Sequence, residues 1–286
     1  MATSFLNVTA RPARLPMWLL SWTIFAMGIV IYLYSSEKRH RENPDDKVMP
    51  SLTQLAKGAA DAALKPAEED DDVAYANAGW LTRLRTSMLW KDTAASTRRF
   101  LISIALMFPA VLLGLHMGLF PYIGALFLRF VLFFDKIIAL SLLPILFIAF
   151  GIDELSKIML MVIGVAPTII LDTVNLSRSV PREQLVKALT LGAGAFDVAY
   201  LVVLKQILPR VINSIRLNLK PLMLFLFAGE MIASTDGLAY RIALARRHLA
   251  MDVIVPYVLW VALLLFLADW FLRVLNRKLH PWFEEA

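Results

Sequence analysis

The chain has 286 residues, 59% hydrophobic and 18% charged, with a formal net charge of +6 and a mean hydropathy of +0.65. A water-soluble domain of this size cannot hide that much apolar surface, so lipid is the natural solvent, and one membrane domain over residues 1–286 with a long polar insert is the simplest organisation. The chain has no cysteine, which excludes disulfides, thiolate nucleophiles and Cys-ligated metal. The modest basic excess suits the cytoplasmic face of a membrane protein and implies no nucleic-acid partner.

A membrane helix needs roughly 20 apolar residues. Residues 17–34, MWLLSWTIFAMGIVIYLY, supply the first candidate, with Trp18, Trp22, Tyr32 and Tyr34 as interfacial anchors. The block is long for a signal peptide, and no small-residue cleavage site follows it. Residues 35–99 are polar; they hold a helix-prone SLTQLAKGAADAAL and an acidic run, Glu68 to Asp72, that has no apolar partner and is expected to stay solvated. Residues 100–119 read as a second span, kinked by Pro109. A third follows at 137–152, entered through FLRFVLFF, a fourth at 156–174, a fifth at 211–231 and a sixth at 253–270. The expected fold is therefore an all-α integral membrane protein with six transmembrane helices. Residues 1–99 form an N-terminal span plus linker, and 100–274 form the core. Lys and Arg gather after the fourth span (Arg178, Arg182, Lys187, Lys205, Arg210) and in the tail (Arg273, Arg277, Lys278). That places both termini and the loop 175–210 in the cytoplasm and the linker outside. The basic EKRHR after the first span argues the other way, but long polar loops translocate largely regardless of charge.

Within the loop, PREQLVKALTLGAGAFDVAYLVVLKQILPR (181–210) is too charged and too broken by glycine to be a span. Pro181 suits a first helical turn, and Glu183 and Lys187 form an i,i+4 pair. Leu185, Val186 and Leu189 fall on one face, and Gly192 lies where a helix C-terminus takes a left-handed residue. A second short helix is expected over 196–205. Two readings follow from periodicity: an amphipathic hairpin resting in the headgroups, or a docking element for a cytoplasmic partner.

This stretch resembles the EAA loop of ABC importer permeases. Val186, Lys187 and Ala188 stand for E-A-A, Gly192 for the glycine, Val202 and Leu204 for the later apolar positions, and Lys205 for the first proline. Pro209 in QILP matches a second proline common in nitrate/sulfonate/taurine-type permeases. FGIDELSKI (150–158), VPREQL, AGEMIASTDGLAY (228–240) and MPSLTQL are similar to further segments of that subfamily, in its order. The resemblance covers nearly the whole chain and implies a type I permease in the cell inner membrane. It further implies that Glu183, Leu185, Val186, Lys187, Ala188, Leu189, Gly192, Ala193, Leu204 and Pro209 form a coupling loop that sits on an ATPase subunit. The implied partners are ABC ATPases, a second permease subunit of the same or a related kind, and an extracytoplasmic binding protein. The implied cargo is a small anionic solute moved by alternating access. A membrane scaffold that docks partners without transporting is the alternative.

An ionisable residue within a span is by default a functional candidate. Glu230 ends the fifth apolar block, and Arg216 and Lys220 share a face on its other half, which makes these three the pathway candidates. Snorkelling to the headgroups is the competing account of the two cations. His40, His116, His248 and His280 show no ligand spacing and read as surface or packing residues. The small-xxx-small pattern of GLHMG (114–118) reads as helix packing. The chain lacks G-x-x-x-x-G-K-[ST], so ATP hydrolysis is expected on a separate subunit, and no cofactor or metal is expected here.

Overall fold

In the computed structural model the described residues are 14–42, 48–64 and 87–283. The acidic run at Glu68 to Asp72 lies outside them. Among the described residues the secondary structure is helical. Helix α1 (Arg14–Glu42) and helix α2 (Leu52–Leu64) are followed by α3 (Met88–Ala105), α4 (Met107–Leu119) and α5 (Pro121–Asp135). A 3-10 turn (Ala139–Leu142) leads into α6 (Leu143–Phe150), and α7 (Glu154–Arg178) and α8 (Arg182–Thr190) come next. After a short turn at Ala195–Asp197 and a π-helical segment, Val198–Val203, the chain continues as α9 (Leu204–Leu217), α10 (Leu219–Ala233), α11 (Leu238–Arg247) and α12 (Met251–Leu279).

Helix ends pack in two sets. Arg99 of α3 meets Glu154 at the start of α7, Glu230 near the end of α10 and Asp236 before α11. At the opposite end, His116 of α4 meets Tyr200, and Asn276 of α12 donates to the Pro209 carbonyl at 3.0 Å. Connectivity then fixes direction. The unit α3–α4, helix α7 and helix α12 run from the Arg99 end to the hairpin end; α5–α6 and α9–α10 run back. Residues 48–64 belong to the Arg99 end. Tyr32 and Ser36 of α1 donate to the carbonyls of Pro50 and Met49. Gly58 of α2 sits so close to the Asp252 carbonyl that a Cβ would lie 2.3 Å from its oxygen.

Among the described residues, three helical stretches are long and apolar enough to cross a membrane alone: Met88–Leu119, Glu154–Arg178 and Met251–Leu279. A fourth results if α5 and the 139–150 segment, bent by 86°, count as one span. Length and composition alone therefore give three or four crossings among the described residues. The expected third span, 137–152, is a 3-10 turn plus an eight-residue helix, about 12 Å of α-helix at 1.5 Å per residue. It crosses back only together with α5. The expected fifth span is broken at Asn218. The second is broken at Leu106, and it begins well before Phe100, at Met88. Both breaks stand three residues before a proline, Pro109 and Pro221. A proline lacks the N–H that would bond the carbonyl four residues back, and its ring crowds that turn.

Helix α7 is the centre of the bundle; Leu160, Met161, Ile169 and Val174 are 1% exposed or less. Helix α4 lies against it at close range. A Cβ on Gly114 would meet Ile170 O and Thr173 Cβ at 2.7 Å, and one on Gly118 would meet Ser177 Cβ at 2.6 Å. The small-xxx-small pattern is a packing device, as its spacing indicates. The exterior keeps large apolar side chains, among them Ile24, Phe25, Phe108, Phe130, Ile148 and Phe266, which suits lipid as the solvent.

Candidate functional site

Two features stand out: a buried polar network at the Arg99 end and a helical hairpin at the other.

The network grows from the first three turns of α3, where Asp92, Ser96 and Arg99 recur at i, i+4 and i+7 and share an inward face. Arg99 is 2% exposed. Its Nε and Nη2 donate to both oxygens of Glu154 at 2.6 and 2.7 Å, its Nη1 donates to Glu230 at 2.7 Å, and its Nη2 also reaches Asp236. Glu230 is fully buried. Its Oε1 accepts from Arg99 and from Ser96 Oγ at 2.7 Å, and its Oε2 accepts from the Ala239 backbone N–H at 3.0 Å. That last bond comes from the N-terminal turn of α11, where free N–H groups and the helix dipole favour a carboxylate. Gly237 makes the approach possible. Its φ is +118°, and a Cβ there would sit 2.6 Å from the Glu230 carboxylate carbon. Asp92 accepts from Gly237 N, Arg241 Nε and Tyr257 OH at 3.1, 2.9 and 3.2 Å. Burial works against the charge on Arg241, and Asp92 more than offsets it, so its pKa is held above the ordinary arginine value. Lys157, 3% exposed, donates to Glu154 at 3.0 Å and to Ser234 at 3.1 Å.

The pathway candidates therefore separate. Glu230 occupies a bonded position inside the protein, not a wall facing open space. Arg216 lies 3.5 Å from Asp269 of α12, which also holds Arg273 at 3.0 Å. Lys220 remains exposed. Asp172 accepts from Ser214 and ties α7 to α9. Sequence reasoning missed Asp92 and Arg99, because a polar stretch in front of a span reads as linker, and it gave Glu154 and Lys157 no role beyond their place in FGIDELSKI. The available signal was the i, i+4, i+7 recurrence of Asp92, Ser96 and Arg99.

The hairpin is α8, the Gly192 turn and the helix from Ala195 onward. Gly192 has φ +89°, and Ala193 N–H donates to the Ala188 carbonyl at 3.1 Å, the six-to-one bond of a glycine-terminated helix. The expected second short helix does not end near Lys205. It runs through the π-helical segment into α9. Gln206 donates to Gln184 at 2.6 Å and braces the two arms. Val186, Leu189, Leu191 and Phe196 are exposed. Leu185, Ala188, Ala193 and Leu204 instead pack on the core, and Pro209 is buried. The outward row is thus Val186, Leu189, Leu191 and Phe196, without Leu185, because side chains one residue apart on a helix point about 100° apart. Glu183 and Lys187 are exposed beside it. Among the described residues, no group of three or more His, Asp or Glu is arranged to hold a metal ion.

Residues 92–281 match the family described as "Binding-protein-dependent transport system inner membrane component". The match spans most of the chain, and the protein belongs to that family, the membrane permeases of ABC importers. It is 32% identical over 202 residues to the taurine transport system permease protein TauC of Escherichia coli K12, covering 69% of this chain and 72% of that one. A putative ABC transporter permease of Methanocaldococcus jannaschii is 28% identical over 204 residues, covering 70% and 75%. The putative aliphatic sulfonates transport permease SsuC of Escherichia coli K12 is 32% identical over 143 residues, half of this chain and 54% of its own. A solved structure of the MetNI methionine ABC transporter in an inward-facing conformation superposes with a TM-score of 0.53 at 17% identity, over 74% of this chain and 98% of that one. That likeness extends to the fold.

Proposed function

We propose that this chain is the pathway-forming permease subunit of an importer for a small anionic solute of the sulfonate class. In this reading it pairs with a second permease of the same or a related kind, takes solute from an extracytoplasmic binding protein, and rocks between inward- and outward-open states as separate ATPases close and open. The relatives named for taurine and aliphatic sulfonates support the solute class. The observation that carries the reading is the braced hairpin, which holds Val186, Leu189, Leu191 and Phe196 outward from a family member's membrane core. An apolar row beside charged Glu183 and Lys187 fits a groove on a soluble partner. ATP chemistry belongs to that partner, and Lys220, exposed on α10, is kept as the candidate cation for meeting an anion.

The test is reconstitution of the complete complex in vesicles with labelled taurine and an alkanesulfonate as probes. ATP-dependent uptake that requires the binding protein is the expected result. Assembly with an ATPase but uptake of neither probe removes the solute class. Failure to recruit any ATPase encoded beside the chain removes the permease reading and leaves a scaffold.

A further inference from the structure

The Gln206–Gln184 bond and the Gly192 turn brace the hairpin, and motion imposed on it reaches the bundle where the two touch. One such contact is polar and directional. His116, in the middle of the glycine-lined segment of α4, meets Tyr200 in the π-helical segment at 3.2 Å. The tautomer follows from the other nitrogen. His116 Nδ1 lies 2.7 Å from the Leu112 carbonyl, which can only accept, so Nδ1 carries a proton and, in the neutral ring, Nε2 accepts from the Tyr200 hydroxyl. Aromatic rings surround the pair. Phe120 stacks on His116 with centroids 5.7 Å apart, and Phe196, at the hairpin tip, lies 5.7 Å from Phe120. Tyr200 meets the His116 ring edge-on at 5.7 Å.

His116 sits between Gly114 and Gly118, the residues that hold α4 against α7 at backbone range. At its far end α7 carries Glu154, bonded to Arg99. A π-helical turn is a local departure from α geometry that recurs at functional sites, and here it is the segment that carries Tyr200.

We propose that His116 and Tyr200 form the relay through which the hairpin acts on α4 and α7. Both are positioning residues: they touch no solute and no nucleotide, and they set where α4 stands for a given position of the hairpin. The inference rests on the reading of the chain as an ATPase-coupled permease.

The experiment uses the full complex in vesicles, with ATP hydrolysed and solute moved measured together. Tyr200→Phe keeps the ring and removes the donor; His116→Phe keeps the packing and removes the acceptor. Each is expected to raise ATP consumed per solute moved by about three- to tenfold, the size set by one neutral hydrogen bond, while the ATPase is pulled down at the parental level. The double variant is expected to match either single, because one shared bond is lost once. His116→Gln, which restores an acceptor, is expected to recover part of the ratio. A parental ratio in both single variants overturns the relay, as does a parallel fall in hydrolysis, uptake and assembled complex, which marks the pair as structural. If the parent itself captures the ATPase yet moves no solute under ATP, the permease reading fails first and the relay with it.

Discussion

Arg99 shows what one buried cation holds together. Its guanidinium joins α3 to Glu154 on α7, Glu230 on α10 and Asp236 before α11. Glu154 and Asp236 are partly exposed, with side-chain exposures of 48% and 40%, and can rehydrate if the arginine is lost; Glu230, at 0%, cannot. Removing one partner of a buried pair leaves an uncompensated charge and typically destabilises by about 3–5 kcal/mol. Arg99→Ala is therefore expected to lower thermal stability in detergent by that order. Arg99→Lys should fall between, since an ammonium cannot reproduce the planar fork. The decisive comparison is Arg99→Met with and without Glu230→Met: the double variant is expected to be the more stable, because no buried carboxylate is left unpaired. If the single variant melts with the parent, the network has no structural weight. Gly237→Ala belongs to the same neighbourhood. A methyl 2.6 Å from the Glu230 carboxylate at φ +118° is expected to reduce stability by about 1–3 kcal/mol, read in the same melts.

At the scale of elements, α4 against α7 and the hairpin invite opposite expectations. Gly118→Leu drives a side chain into Ser177 and Val174; overpacking of this kind typically costs about 1–3 kcal/mol, and detergent-extracted protein should melt earlier or aggregate. Gly192 has nothing within 4 Å of a Cβ, and only its φ of +89° resists a side chain. Gly192→Val is thus expected to insert normally, carry about 1–2 kcal/mol of local strain, and recruit the ATPase less well, because the two arms of the hairpin are mis-set. Unchanged recruitment and uptake would return the loop to a simple interfacial hairpin. Val186, 58% exposed, stands for the acid of the EAA loop that this stretch resembles, and Val186→Glu meets no burial penalty. Tighter ATPase capture in pull-down is the expected outcome, and no change would show that the apolar residue serves as well. The sequence places the Gly192 turn correctly because φ > 0 is a local property of the backbone. It misplaces Leu185, because which face of α8 turns inward depends on the core beneath it.

For the whole molecule, the alternation of helix ends orders the sides without a membrane being present. The Arg99 network and residues 232–252 share one end, and the hairpin, Asn276 and the start of α9 share the other. From the Lys and Arg around 178–210 we propose that the hairpin end faces the cytoplasm. The chain has no native cysteine, so single-cysteine labelling reports this directly. A cysteine at exposed Thr235 is expected to react with an impermeant reagent on intact cells, and one at exposed Leu191 only after permeabilisation. The reverse pattern inverts the topology.

The sequence by itself determined the solvent, the helical class and the hairpin's turn, because each rests on composition, on short periodicities or on a local backbone demand; the family came from the likeness of short motifs in a shared order. Tertiary structure decided the rest. Asp92, Ser96 and Arg99 read as the end of a polar linker until α3 is seen to continue through them and turn them inward. Glu230 reads as a pathway residue until α11 brings the Ala239 N–H to it from nine positions further along the chain and α3 brings Arg99 from 131 positions away. A charge in a span is anomalous only while its partner is unknown. The partner here is distant in sequence, and only the packing of α3, α7, α10 and α11 supplies it, because burying a carboxylate without one is too unfavourable for the fold to tolerate.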